Sequence, residues 1–305
     1  MDFIALINEL KNANIDFLEN EPMSRHTSFR IGGPAAVMVE PKTAAQFRAA
    51  LLAAEREEIP VLVMGNGSNM LVSDEPIDMM VVKTFDSFSA IEVRDECIYA
   101  QSGALLSRIA VAAQQNGLTG FEFAHGIPGT LGGAVFMNAG AYGGEIKDVV
   151  AETDYLTPEY EQRKLTGAEH DFGYRHSAFS AGAGIVLGSL IKLSRGNSAD
   201  ILARMQELSE KRRKSQPLEM PSAGSTFKRP QNGYAAALID GAGLKGFSIG
   251  GAQVSEKHAG FVVNKGGATF NEVLRLMQAV KLRVYETSGI ELEPEVRIIR
   301  GRESR

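Results

Sequence analysis

A single cysteine, Cys97, stands in a chain of 305 residues. No intramolecular disulfide can form, nothing points to an oxidising compartment, and a reduced cytoplasmic setting is expected. No stretch approaches the roughly 18 apolar residues of a membrane span. The opening MDFIALINELKNANIDFLEN mixes acids among apolar positions and has neither the basic flank nor the apolar run of a leader, so it reads as an amphipathic helix. A basic surplus is missing too: 32 Lys and Arg face 37 Asp and Glu, a net charge of −5. This balance argues against a dedicated binder of nucleic acid or anionic membrane. His26, His125, His170, His176 and His258 show neither H-x-H nor H-E-x-x-H spacing, which leaves no expectation of a catalytic metal. There is no G-x-S-x-G elbow and no P-loop.

Glycine is abundant, and it is concentrated. GIPGTLGGAVFMNAGAYGG, residues 126–144, holds seven glycines and no charge, and GNGSN occupies 65–69 after the apolar run VLVM. Glycine is favoured where φ must be positive or where backbone lies directly against a ligand. Each stretch could present backbone N–H groups to phosphate oxygens without a basic side chain. Either alone reads as a tight turn; the two together, with RIGGPA at 30–35, point to a large phosphate-bearing cofactor. The one G-x-G-x-x-G, at Gly241, Gly243 and Gly246, follows a helical pattern and precedes an extended one. That order is the reverse of a dinucleotide fingerprint, so these glycines read as a helix C-cap and turn.

The periodicities predict a mixed α+β chain long enough for two or three compact units. Thr43 and Gln46 form a capping box that opens a helix to Glu58. Leu105, Ile109 and Ala112 mark a helix stopped by Gly117. GIVLGSLIKLS (184–194) reads as a strand, and SRGNSAD (194–200) as a linker and domain boundary. Beyond it Ile201, Met205 and Leu208 share a helical face, and Lys211, Arg212, Arg213 and Lys214 read mostly as its solvated end. Thr269 and Glu272 cap a helix whose Val273, Leu276, Met277, Val280 and Val284 keep a 3.6-residue period. ELEPEVRII (291–299) alternates as a final strand.

SRHTSFRIGGPA, GNGSN, GIPGTLGGAVFMNAGAYGG, FGYRHS, AGSTFKRP, AALIDGAGLKG, AQVSEKHAGFVVN and LEPEVRIIR, in this order over about 24–300, together resemble the UDP-N-acetylenolpyruvoylglucosamine reductases. These are flavoenzymes of peptidoglycan precursor synthesis. The resemblance is to their shorter form, which lacks a tyrosine-bearing loop inserted in the longer form. It implies an FAD-binding fold of the vanillyl-alcohol oxidase and p-cresol methylhydroxylase type, with subdomains at 1–85 and 86–196 and a C-terminal α+β substrate domain at 197–305. It further implies non-covalent FAD, held by Gly65, Asn66, Gly67, Ser68 and Asn69 on one side. On the other side it implies Gly126, Ile127, Pro128, Gly129, Gly132, Gly133, Asn138, Ala139 and Gly140.

The implied reaction passes a hydride from NADPH through flavin to C3 of the enolpyruvyl double bond of UDP-N-acetylglucosamine enolpyruvate. Ser225 would protonate C2, with Arg175 and Glu295 stabilising the charge that develops toward the carboxylate. Lys214, Lys228, Gln253, Lys257, His258 and Asn264 are the candidates for the UDP-sugar. No protein partner is implied. Arg229 stands where the longer form often has asparagine, so that substrate contact does not carry over. The rivals are another FAD-dependent alcohol or sugar oxidoreductase on the same scaffold and a non-enzymatic nucleotide-sugar binder.

Overall fold

The computed structural model describes residues 2–301. Two compact units are built from interleaved segments of the chain. The first takes the chain up to Leu18, Val37–Asn66 and Met79–Arg212; the second takes Glu19–Ala36, Gly67–Asp78 and the chain from Arg213 onward.

The first unit has two apolar cores. In one, helix α1 (Phe3–Asn12) and helix α2 (Ala44–Arg56) contribute Leu6, Leu10, Phe47, Ala50 and Leu51. They pack with Met80 and Val82 of strand Ile77–Lys83, which pairs in parallel with Val61–Met64. Asp2 Oδ1 caps α1 by accepting the N–H groups of Ile4 and Ala5 at 2.9 and 3.1 Å. Thr43 caps α2 through the Gln46 N–H. The expected reciprocal half of that box is absent, because Gln46 Oε1 accepts from Lys42 N instead, at 2.8 Å.

The other core lies on an antiparallel five-stranded sheet ordered Gln162–Thr166, Val150–Leu156, Ile185–Lys192, Cys97–Gln101 and Ile91–Arg94. Helix α3 (Leu106–Gln115) and helix α4 (Leu131–Met137) bury Ile109, Ala110, Leu131 and Val135 in this core. Gly117, at φ +63°, ends α3 as expected. Helix α4 was not expected within the glycine-rich stretch. It forms because Gly132 must pass close to Ser102, where a Cβ would lie 2.8 Å from the serine's own Cβ. Gly133, Val135 and Phe136 are weak helix formers, so burial of Leu131, Ala134 and Val135 rather than propensity holds the helix. Helix α5 (Ser198–Ser215) packs Ile201 and Met205 into the same core.

The second unit is organised by an antiparallel sheet ordered Ser222–Ser225, Phe261–Asn264, Ala252–Val254 and Ser248–Ile249. Two helices join it, α6 (Ala235–Gly241) and α7 (Phe270–Ser288). The Thr269/Glu272 capping box forms, Gly289 closes α7 at φ +69°, and the five predicted apolar positions are all buried. Burying a side chain of this kind is worth about 1.5–3 kcal/mol. Gly241, Gly243 and Gly246 close α6 and lead into a turn, as expected, with Gly243 and Gly246 at φ +73° and +77°.

The predicted final strand is shorter than its alternation suggested. Only Arg297–Ile299 is a strand, pairing in parallel with Met70–Val72, and within 291–296 the pairing is reduced to an isolated antiparallel bridge between Pro294 and Phe227. Leu292 and Val296 are nonetheless buried, which accounts for the alternation. The RIGGPA glycines answer to packing. A Cβ on Gly33 would collide with the Asp74 carbonyl, and one on Gly32 would lie 2.7 Å from Met23 Cβ.

Candidate active site

In the first unit the two glycine-rich stretches meet. Asn66 Nδ2 donates to the Pro128 carbonyl at 2.7 Å, and a Cβ on Gly65 would collide with Thr130 Oγ1. Thr130 is the N-cap residue of α4, yet its hydroxyl makes no capping bond. Thr130 Oγ1 and Ser102 Oγ, the latter beneath Gly132, are buried and have no hydrogen-bond partner. A buried hydroxyl left unpaired costs about 1–3 kcal/mol. Two of them beside bare glycine backbone are consistent with the cofactor-binding role expected of these stretches. Gly67, Ser68 and Asn69 belong to the second unit. There Gly67 O accepts from Ser28 N at 3.2 Å.

Farther along the stretch, Gly140–Ala141 and Gly144–Glu145 pair as a two-residue hairpin with Tyr142 and Gly143 at its tip. Both tip residues have positive φ, +54° and +88°. Two-residue turns of this kind favour asparagine and glycine, so the tyrosine is an exception. Asn138 ends α4 in the left-handed region at φ +43°. Its buried carboxamide is committed to protein groups: Nδ2 donates to Glu145 Oε2 and to the Gly173 carbonyl, each at 2.9 Å, and Oδ1 accepts from Lys147 N at 3.0 Å.

Arg175 lies in the turn that begins at Gly173. Gly173 and His176 exchange backbone hydrogen bonds at 3.1 and 3.2 Å, and Arg175 has φ +54°. A left-handed conformation costs a non-glycine residue roughly 1–2 kcal/mol, which something must hold in place. The turn is fastened twice to the end of α4: by Asn138 at Gly173, and by Ser177 Oγ, which donates to the Phe136 carbonyl at 2.8 Å. The Lys147 ammonium, the Asn138 amide and the Arg175 charge, the first being largest, hold the Glu145 carboxyl below its usual pKa against an opposing effect of burial.

Arg212 corrects the reading of residues 211–214 as a solvated helix end. Lys211 is exposed and paired with Glu207 at 2.6 Å. The Arg212 side chain is instead half-buried, and burial lowers its pKa, with Tyr142 opposing. It lies under the glycine-rich stretch, where a Cβ on Gly126 would come within 3.1 Å of Arg212 Cδ. No described residue forms an ion pair with it. The adjacent His125 Nδ1 is 3.1 Å from Ser209 Oγ, and burial lowers the pKa of that histidine. The missed signal was periodicity: Arg212 continues the stripe of Ile201, Met205 and Leu208.

In the second unit, backbone pairing brings Ser225 and Glu295 onto neighbouring segments. Strand Ser222–Ser225 shifts register between its ends, where Ser222 faces Val263 and Ser225 faces Phe261. Gly224 within the shift has φ +76° and no neighbour within 4 Å of a Cβ position, so φ alone requires glycine there. A bulge of this kind re-aims the next side chain, here Ser225. Thr226, next in sequence, accepts the Glu295 N–H at 2.8 Å, while Asn69 Nδ2 donates to the Glu295 carbonyl at 3.2 Å. Asn69, expected at the cofactor, thus also fixes the backbone of Glu295.

The substrate candidates divide by what their polar groups already do. Asn264 spends its amide on the Phe29 carbonyl and on the N–H groups of Gly266 and Ala268. Gln253 Nε2 donates to Gly246 O at 2.9 Å. Lys257 Nζ donates to Arg213 O at 2.7 Å and lies 3.6 Å from Glu219. Lys228 N donates to Glu293 O at 2.8 Å, and its ammonium lies 3.3 Å from the Glu293 carboxylate. Lys214 is exposed. His258 Nδ1 accepts from Gly260 N at 3.2 Å, and burial, with the Lys245 charge added, lowers its pKa. Arg229 stacks on the exposed ring of Tyr234, 4.1 Å from its centroid.

Residues 35–166 match the FAD binding domain family, and residues 216–299 match the UDP-N-acetylenolpyruvoylglucosamine reductase C-terminal domain family. A UDP-N-acetylenolpyruvoylglucosamine reductase of Caldanaerobacter subterraneus is 50% identical over 280 residues, 92% of each chain. The chain belongs to the UDP-N-acetylenolpyruvoylglucosamine reductase family. A second reductase of that name, from Clostridioides difficile, is 46% identical over 297 residues, 97% of each chain. The solved reductase of Thermus caldophilus superposes with a TM-score of 0.79 at 33% identity, covering 93% of this chain and 98% of its own.

Membership in the reductase family makes this an FAD-dependent oxidoreductase, and the expected α+β fold with its FAD-binding part stands. Physcomitrella patens BBE-like 1 shares the fold alone, with a TM-score of 0.52 at 14% identity over 62% of this chain and 44% of its own. Among the described residues there is no cluster of metal-ligating side chains and no helix long and apolar enough to cross a membrane.

Proposed function

We propose that the chain reduces the enolpyruvyl group of UDP-N-acetylglucosamine enolpyruvate to the lactyl ether of UDP-N-acetylmuramate, with NADPH as reductant, in peptidoglycan precursor synthesis. Bound FAD supplies the hydride relay between the two substrates. Around it, Thr130, Ser102, Gly65, Asn66 and the backbone of 126–133 are the groups that fit the cofactor, by the unpaired hydroxyls and bare backbone described above. The assigned division of labour keeps FAD with the segments 1–85 and 86–196 and the UDP-sugar with 197–305. The compartment we assign is the cytoplasm, which a lone Cys97 suits.

Ser225 holds the proton that C2 of the substrate receives once hydride has reached C3. Arg175 and Glu295 stabilise the negative charge that grows toward the substrate carboxylate, where fixed donors are worth more than in water. Lys214, Lys228, Lys257 and His258 are assigned to the phosphates and sugar, and Gln253 and Asn264 to holding the strands that carry them. The observation that carries the reading is the 2.8 Å bond from Glu295 N to Thr226 O, which seats the proton donor and its acidic partner on adjoining backbone. The other readings, an alcohol or sugar oxidase and a non-enzymatic binder, lose their ground to the two relatives reported above, both reductases by name over more than nine-tenths of each chain.

An anaerobic absorbance trace tests the proposal. NADPH should bleach the flavin band and the enolpyruvyl sugar should restore it. Glu295→Gln should bleach normally and recover slowly. Full recovery in that variant removes Glu295 from the chemistry, and a parent protein that bleaches without recovering has a different acceptor.

A further inference from the structure

We propose that Asn138 is a positioning residue for Arg175, and that its carboxamide keeps the arginine's turn in register with the glycine-rich hairpin. The inference rests on the role given to Arg175 above.

All three of the Asn138 amide's hydrogen bonds go to protein. One Nδ2 hydrogen reaches the Gly173 carbonyl, which opens the turn carrying Arg175; the other reaches the Glu145 carboxylate at the end of the hairpin. Oδ1 receives the N–H of Lys147, just beyond that hairpin. The side chain is 1% exposed. An amide buried this way is satisfied only while both segments stay where they are, so it acts as a two-sided gauge between them.

The electrostatics run the same way. Glu145 accepts from Asn138 and from the Lys147 ammonium at 2.8 Å, and the Arg175 charge bears on the same carboxylate. Asn138 thereby fixes one end of the acid that faces the arginine, as well as the backbone the arginine stands on. Both residues are in the left-handed region, at φ +43° and +54°. Asparagine tolerates that conformation better than most residues, which explains its place at the end of α4 but not its three side-chain bonds. A helix end alone would be served equally well by glycine.

This separation supplies the test. Asn138→Gly keeps the left-handed backbone and deletes the amide, whereas Asn138→Asp keeps the shape and removes both Nδ2 donors. The two half-reactions of the holoenzyme are followed in a stopped-flow instrument through the flavin band. Misplacing a catalytic group by about 1 Å costs about 10²-fold. Recovery of the band on adding the enolpyruvyl sugar should therefore slow about that much in both variants. Flavin content and the rate of bleaching by NADPH should stay within about twofold of the parent. Residues that act as one unit are not additive, so either variant combined with Arg175→Met should be no slower than Arg175→Met alone.

Recovery at the parental rate in both Asn138 variants overturns the proposal while leaving Arg175 in its role. So does a loss of flavin or of bleaching that matches the loss of recovery, which would make Asn138 a cofactor or folding residue. Multiplicative slowing in the double variant overturns it too. Parental recovery in Arg175→Met is a different failure, because it removes the role of Arg175 on which the proposal stands.

Discussion

The Glu295 N–H donates to the Thr226 carbonyl at 2.8 Å, and the residue before Thr226 is Ser225. The backbones of a serine and a glutamate seventy positions apart in the chain are thus seated on adjoining segments by main-chain hydrogen bonding. Ser225→Ala should slow recovery of the flavin band about 10²–10⁴-fold, the ordinary worth of a positioned proton donor, and leave bleaching by NADPH unchanged. Gly224→Ala should cost about 1–2 kcal/mol of stability through its positive φ alone and slow the same half-reaction by turning Ser225. Parental recovery in both variants would assign the proton to another group.

Thr130 supplies a prediction of opposite sign for the empty and the loaded protein. Its hydroxyl is buried without a partner, so Thr130→Val removes an uncompensated polar atom at nearly constant shape. The apoprotein should melt no lower than the parent, while FAD should dissociate about tenfold more readily, the worth of one hydrogen bond. The comparison is thermal melting of the apoprotein set against fluorescence titration with FAD. Unchanged FAD affinity would return Thr130 to a role in the fold.

His170 makes stability depend on pH. The ring is fully buried, stacked on Phe172 at 4.8 Å, with Nδ1 3.0 Å from the Gly167 carbonyl and Nε2 2.9 Å from Thr153 Oγ1. Burial, the largest influence, lowers its pKa despite the Gly167 and Glu169 contributions. The unfolded chain therefore binds a proton more readily, at about pH 6.5. The stabilisation is complete above that value and declines as pH falls toward the lower folded value. His125 and His258 are shifted in the same direction. Melting temperature should drop between pH 7.5 and 5.5, and His170→Gln should flatten part of that drop. An identical pH slope in the variant would clear His170 of it.

Much of this architecture could be read from residue order. The stripe of Val273, Leu276, Met277, Val280 and Val284 and its Thr269/Glu272 box gave α7 directly, because a long amphipathic helix is a local signal. The reversed order around Gly241, Gly243 and Gly246 excluded a dinucleotide fold for the same reason. What was hidden depends on contacts between distant segments. Helix α4 was masked by the glycines that let it pass Ser102, and alternation at 291–296 came from burial of Leu292 and Val296 without a sheet. Arg212 stands among four consecutive cations that read as a solvated end, yet it occupies the next position on the stripe of Ile201, Met205 and Leu208. The resemblance implies Asn138 at the cofactor, and sequence does not name the three protein groups its carboxamide holds.

The parallel pairing of Met70–Val72 with Arg297–Ile299 also bears on how the protein is made. The earlier strand leaves the ribosome first and must wait for its neighbour through nearly all the remaining synthesis, on the order of tens of seconds at roughly 5–20 residues per second. Until synthesis reaches Arg213 the second unit has only its first two short segments, and the first unit can consolidate around α2, α3 and the five-stranded sheet. Nascent chains truncated ahead of Arg297 should therefore protect α3 from protease while leaving Met70–Val72 open to cleavage.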